Sequence, residues 1–184
     1  HSATSTMKKE VVVLSVEDMK EAMFMIPCPK SPHGCDVDPT GEYIIGSGKL
    51  AALIPVFSFD KMIKAIADKN FAGEYDGVQV IKYEAALHGE VQKPGLGPLH
   101  TEFDGKGNAY TSMFVSSEVV KWNIKDLKVL DRQPTFYSVG HLMIPGGDSG
   151  KPFGKYLVAY NKITKDRYLP TGPELAQSAQ LYDI

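Results

Sequence analysis

The chain is poor in cysteine, with two in 184 residues, and has a single tryptophan. Two cysteines cannot build the disulfide framework that holds small secreted folds together. No charge of one sign dominates: 20 Lys and Arg stand against 22 Asp and Glu, a formal charge of −2. Such a balance supplies no basic field for nucleic acid and no basic amphipathic helix for a membrane surface. No apolar run approaches the roughly 20 residues that a membrane span needs. The opening "HSATSTMKKE" lacks the apolar core of a secretory signal, and its leading His-Ser reads as a trimmed start, so this absence says little about location. Also missing are a zinc-hydrolase H-E-x-x-H, a G-x-S-x-G elbow, a phosphate-binding Walker loop and a dinucleotide fingerprint.

What is present is ordinary in amount, 43% hydrophobic and 23% charged, enough for one globular domain or a piece of a larger one. Cys28 and Cys35 lie seven apart across "CPKSPHGC", with His33 between them. Zinc sites use closer cysteine pairs and four ligands. Two partly buried thiols is therefore the simpler reading of that stretch.

The informative feature is a repeat, which is worth seeking early. Apolar runs ending in Asp and then Met or Leu recur as "VVVLSVEDM" (11–19), "IPVFSFDKM" (54–62) and "VVKWNIKDL" (119–127). "YLVAYNKITKD" (156–166) is a looser copy, and "AQLYDI" opens another. Their Val, Ile, Phe and Tyr content favours strands. The other half of the repeat is a histidine, a turn and a strand opening at tyrosine. His33 precedes the Asp38-Pro39-Thr40-Gly41 turn and Tyr43, and His100 precedes Asp104-Gly105-Lys106-Gly107 and Tyr110. His141 precedes a longer Gly-rich turn and Tyr156. Pro presets φ and Gly accepts positive φ, which is why such sequences turn.

Each unit thus reads as a strand carrying the histidine, a tight turn, an outer strand and a further strand ending in Asp. Antiparallel units repeated about an axis make an all-β propeller of four-stranded blades. Residues 1–184 are expected to form one such partial domain. Helical content is expected to be small, with "FDKMIKAIADKN" (59–70) the best candidate, where Phe59, Met62, Ile63 and Ile66 keep helical spacing. Residues 67–94 read as an insertion holding the helix end and a hairpin or extended excursion.

Equivalent positions on successive innermost strands face a common channel, so His33, His100 and His141 should converge. Neutral imidazole is the commonest side-chain ligand for copper and zinc, which makes the three candidate metal ligands. Each taken alone reads more simply as a hydrogen-bonding turn histidine, and their equivalence is what favours ligation. His88 and His1 fall outside the pattern.

At these residues the sequence resembles the nitrous oxide reductase family, in the middle of its N-terminal seven-bladed propeller. The resemblance is carried by "SPHGCDVDPTGEYIIGSGKL", "GLGPLHTEFDGKGNAYTSMFVSSEVVKWNI" and "KDRYLPTGPELAQSAQLYDI". It implies about four of seven blades. It also implies that His33, His100 and His141 are three of the seven histidines around a tetranuclear copper–sulfide centre. Lys162, in "YNKITKDRY", matches the family's lysine beside that centre; the alternative is a solvated strand lysine. The family implies reduction of N2O to N2 and water, a periplasmic location, a homodimer, and a c-type cytochrome or cupredoxin as electron donor.

Departures from the family matter too. Its paired His-His ligands, another N-terminal ligand, a final C-terminal one and the cupredoxin domain have no counterpart here. Calcium binds near the first histidine in relatives with an Asn two residues before it, and Ser31 stands there instead. The segment between Met19 and Cys28 is also shorter than the family's. Three of seven ligands cannot hold four coppers, so the chain alone is expected to be copper-free, or to bind one adventitious ion, and to lack activity. Exposed blade edges would favour self-association. Two other readings remain: a non-catalytic propeller used as an interaction module, and a mononuclear three-histidine hydrolytic site, which lacks a sequence-marked base.

Overall fold

Strand-forming runs punctuated by Asp-Gly and Asp-Pro turns give an almost wholly β chain, seen here in a computed structural model that describes residues 5–8, 11–161 and 178–184. The N-terminal elements are β1 (Ser5–Lys8), β2 (Val11–Leu14), a 3-10 helix (Glu17–Ala22) and β3 (Phe24–Met25). They are followed by β4 (Pro32–Val37), β5 (Tyr43–Gly48), β6 (Leu53–Ser58), α1 (Phe59–Ala67), β7 (Phe71–Tyr75) and β8 (Val78–Ile81). A single helical turn, α2 (Tyr83–Ala86), leads to β9 (Leu87–Gln92), β10 (Pro98–Phe103), β11 (Asn108–Met113), β12 (Glu118–Asn123) and β13 (Val129–Pro134). The last elements are β14 (Val139–Met143), β15 (Tyr156–Asn161) and β16 (Ala179–Asp183).

The chain divides into two compact units. One comprises residues 1–27 and 61–86. It contains the β1–β2 antiparallel pair and a small mixed sheet in the order β3-β8-β7. Asp76 and Gly77 both take positive φ, 50° and 76°, the turn geometry that matches the twist of a two-residue hairpin between β7 and β8. Phe24 stacks on Phe71 across this sheet at 6.0 Å.

The other unit, residues 28–60 and 87–184, holds the blades. Two are four-stranded, in the orders β4-β5-β6-β9 and β10-β11-β12-β13, and the third is β14-β15-β16; every pairing in them is antiparallel. Ile45, Ile54, Val56 and Val91 of the first blade pack on Phe103, Met113, Val120 and Trp122 of the second. Tyr110 and Val119 of the second pack on Val139, Leu142, Leu157 and Ala159 of the third. Stacking blade on blade in this way buries the faces that no blade could bury alone.

Several sequence expectations need adjustment. The Asp-terminated runs at 54–62 and 119–127 are indeed third strands, β6 and β12, and "AQLYDI" forms the third strand β16. The run at 156–166 opens with β15, a second strand, and the run at 11–19 pairs with β1 before entering a 3-10 helix. Residues 87–92 are not part of an insertion: they form β9, which closes the first blade against β6. The hydrophobic pattern alone could not show this, because a helix and a hairpin separate the two partners. α1 forms as expected, yet Phe59 and Ile63 on its apolar stripe are exposed.

The blade corners are built from buried aspartates. Asp38 accepts from the backbone N–H groups of Thr40 at 3.2 Å and Tyr43 at 2.8 Å. Asp104 accepts from Lys106 N–H at 2.7 Å, Asn108 N–H at 3.2 Å and Asn108 Nδ2 at 2.7 Å. Each carboxylate satisfies donors that a tight turn leaves without ladder partners. Asp104→Ala is expected to destabilise the fold by about 2 kcal/mol, measured by urea denaturation, with the histidine-bearing strands unmoved.

Candidate metal centre

Each candidate histidine sits on the first strand of its blade, and β10 lies beside both β4 and β14. Three features recur in all three strands. The residue just before the strand takes a left-handed conformation: Ser31 (φ 61°), Gly97 (φ 85°) and Ser138 (φ 56°). The pairing register then shifts, between Pro32 and Cys35, between Pro98 and Thr101, and between Val139 and Leu142. Inside each shift lies the histidine. Bulges re-aim side chains and are found next to functional sites, and each strand here uses one at its histidine.

The three rings meet. The His100 and His141 imidazoles stack, with centroids 4.2 Å apart and planes 20° from parallel. The His33 ring stands edge-on to His100, with centroids at 4.9 Å and planes 88° apart. His100 is therefore the middle ring, and its Nε2 is buried. His88 lies elsewhere, against the Tyr43 ring at 4.8 Å, with a buried Nε2 that has no hydrogen-bond partner among the described residues. Lys162 and His1 lie outside the described residues.

Three imidazoles are a donor set that suits copper or zinc. Among the described residues, no group of three or more His, Cys, Asp or Glu is arranged to hold a single ion. The stacked and edge-on packing brings the three rings into one patch without closing a single-ion site. Cys28 and Cys35 remain unbridged and exposed, and they form no zinc site with His33. The thiols expected to be partly buried are thus solvent-accessible. Partial desolvation by their neighbours still pushes both up, and for Cys35 the fields of Asp36 and Cys28 add to this.

Beyond the histidines on the same strands sits a carboxylate group that the sequence pattern did not single out. Asp36 Oδ2 accepts from the Thr101 N–H at 2.8 Å, tying β4 to β10 one residue past His100. Glu102 Oε2 accepts from the Ile144 N–H at 3.4 Å, tying β10 to the chain after β14. Burial, with Asp148 adding to it, pushes Asp36 up to about 6. Burial first, then Asp148 and Asp36, pushes Glu102 up to about 7. The only signal available in the sequence was their place, two and three residues beyond a histidine.

Both acids bind protons more tightly when folded than when unfolded. Their stabilising contribution is complete below about pH 4 and is lost as pH rises through about 6 to 7. Asp148 is exposed, so solvent weakens the effect to on the order of 1–2 kcal/mol. Thermal melts between pH 4.5 and 7.5 should show this decline, and Glu102→Gln should flatten it.

Imidazoles brought together from the first strands of three successive blades mark the chain as a segment of a β-propeller. The comparisons with known proteins give the particular likeness. Residues 132–184 match the nitrous oxide reductase propeller repeat. The chain is 38% identical over 180 residues to the nitrous-oxide reductase of Stutzerimonas stutzeri, 37% to that of Pseudomonas fluorescens and 38% to that of Cupriavidus necator. Each match covers 91% of this chain and 26% of the relative. The chain is thus similar to nitrous-oxide reductases and spans about a quarter of the length of these relatives.

Proposed function

We propose that this chain is the part of a nitrous-oxide reductase that supplies His33, His100 and His141 as ligands to a copper cluster. The observation that carries the reading is the meeting of the three rings, at 4.2 and 4.9 Å, from three separate blades. A propeller serving only as an interaction module has no reason to bring them together. A tetranuclear copper–sulfide cluster would supply a site that binds N2O and passes it two electrons, giving N2 and water.

The chain's own residues would orient and constrain. The bulged first strands present the imidazoles, and the Asp36–Thr101 bond fixes the spacing between two of them. Lys162 would place a cation at the cluster edge, stabilising negative charge on the departing oxygen. Periplasmic location, a homodimer and a c-type cytochrome or cupredoxin donor follow from the family reading. Calcium near His33 is the weakest part of that reading, because Ser31 replaces the usual Asn and Ser31 O instead accepts from Lys49 N–H at 2.8 Å. No helix among the described residues is long and apolar enough to cross a membrane.

The test is metal analysis and turnover. As isolated, the chain is expected to hold at most one copper and to leave N2O unreduced. Cu(I) titrated into it is expected to occupy the three-histidine patch as a single ion. Four coppers per chain with N2O turnover would overturn the view that these three ligands are only part of the set. In the complete reductase, His100→Ala is expected to lower copper content and to abolish N2O reduction. Full copper loading and activity in that variant would sink the ligand assignment.

A further inference from the structure

A bulge sets two residues on one strand against one on its neighbour and strips the bulged residues of ladder partners. In the first blade, Pro32 pairs with Gly48 and Cys35 with Gly46, so the residue facing His33 and Gly34 is Ser47. In the second, Pro98 pairs with Met113 and Thr101 with Thr111, so the residue facing Leu99 and His100 is Ser112. Both are serines on the second strand of their blade. Both are essentially fully buried, at 2% and 0% exposure. A buried hydroxyl in a strand core is unfavourable unless it is bonded, and each of these is bonded to the bulge it faces. Ser112 Oγ accepts from the His100 backbone N–H at 3.2 Å. Ser47 Oγ accepts from the Gly34 N–H and donates to the Gly34 carbonyl at 3.1 Å.

We infer that Ser47 and Ser112 are positioning residues for the metal centre: each hydroxyl takes the N–H orphaned by a bulge, and so fixes the direction in which His33 or His100 leaves its strand. The physical need is plain. An unpaired buried N–H favours a relaxed ladder, and a one-residue slip would send the histidine to the other face of the blade. Serine supplies a side-chain acceptor beside the bulge it faces. It is also small enough for β4 and β10 to stay close. The third blade uses another solution, since Tyr160 faces Gly140 and His141 between the Val139–Asn161 and Leu142–Ala159 pairs.

The inference rests on the copper-ligand reading only for its consequence, so the experiment has two arms. In the first, amide hydrogen exchange and ring-to-ring contacts are followed by NMR in the full chain. Ser112→Ala is expected to speed exchange at the His100 amide at least tenfold and to weaken the His100–His141 ring contact. The Gly34 amide and the core amides of β12 should keep their protection. Ser47→Ala should do the reverse, loosening Gly34 and the His33 ring alone. Ser112→Thr keeps the hydroxyl and should retain protection. Where Ser112→Ala does not fold, the near-isosteric Ser112→Cys, with its weak acceptor, carries the same expectation. Uniform loss of protection across the blade, or no change at either amide, would overturn the positioning role.

The second arm titrates Cu(I) alone, supplied as its acetonitrile complex. At least a tenfold loss of affinity is expected in each Ser→Ala variant. Wild-type chain that binds no Cu(I) in this arm would refute the copper reading, while the exchange data would still decide the positioning role.

Discussion

Gly34→Ala is expected to destabilise the blade unit by about 3 kcal/mol and to separate His33 from His100. A Cβ at Gly34 would land on the Leu99 carbonyl oxygen of the neighbouring first strand, and would also press on Ser47 Oγ at 3.2 Å. Neither neighbour can yield cheaply. Leu99 O is the backbone of a fully buried residue, and Ser47 is held by its bonds to the bulge. Relief requires β4 and β10 to move apart, which breaks the 2.8 Å bond from Thr101 N–H to Asp36. Denaturation would report the stability, and NMR contacts between the two rings would report their separation. Gly41→Ala makes the control: space is open there, and only its φ of +79° is strained. That variant should lose only about 1 kcal/mol, with the rings still in contact. Equal losses for the two variants would contradict the packing argument.

The second large effect is expected at Trp122, the only tryptophan in the chain. Its side chain is fully buried between the first and second blades, among Ile45, Val56, Phe103 and Met113. Its Nε1–H donates to Thr111 Oγ1 at 2.9 Å, and Thr111 Oγ1 in turn bonds Thr101 Oγ1 at 2.8 Å. Thr101 directly follows His100. Trp122→Ala should therefore cost about 3–5 kcal/mol through the cavity it opens, and should loosen the strand that carries the middle histidine. Trp122→Phe keeps most of the packing and loses only the bond to Thr111, a cost of about 1–2 kcal/mol. Circular dichroism during urea unfolding measures both. A smaller loss for alanine than for phenylalanine would contradict this view of the core.

Much of this arrangement was legible in the residues. The His-turn-Tyr spacing around His33 and His100 marked equivalent positions, and equivalent positions on first strands converge. The Asp38 and Asp104 turns were legible as corners because their chemistry is local. What could not be read was anything that depends on pairing partners. β9 closes the first blade across an intervening helix and hairpin, so "LHGEVQ" gave no sign of its neighbour β6. The bulges were equally hidden, since a register shift is a property of two strands and Ser47 and Ser112 look like ordinary strand serines. The Asp36 and Glu102 carboxylates stood in plain view beside two histidines. Only the packing of β4, β10 and the chain after β14 shows that Glu102 is buried, that Asp36 is half-buried, and that both are tied to backbone N–H groups.

The most direct test of the central claim is a histidine-ring NMR titration of the chain with Cu(I). The rings of His33, His100 and His141 are expected to show mutual contacts before metal is added and to shift together as it is added, with His88 unmoved. Rings that shift one at a time, or a His88 ring that responds as readily as the others, would contradict the claim that these three form one copper-binding patch.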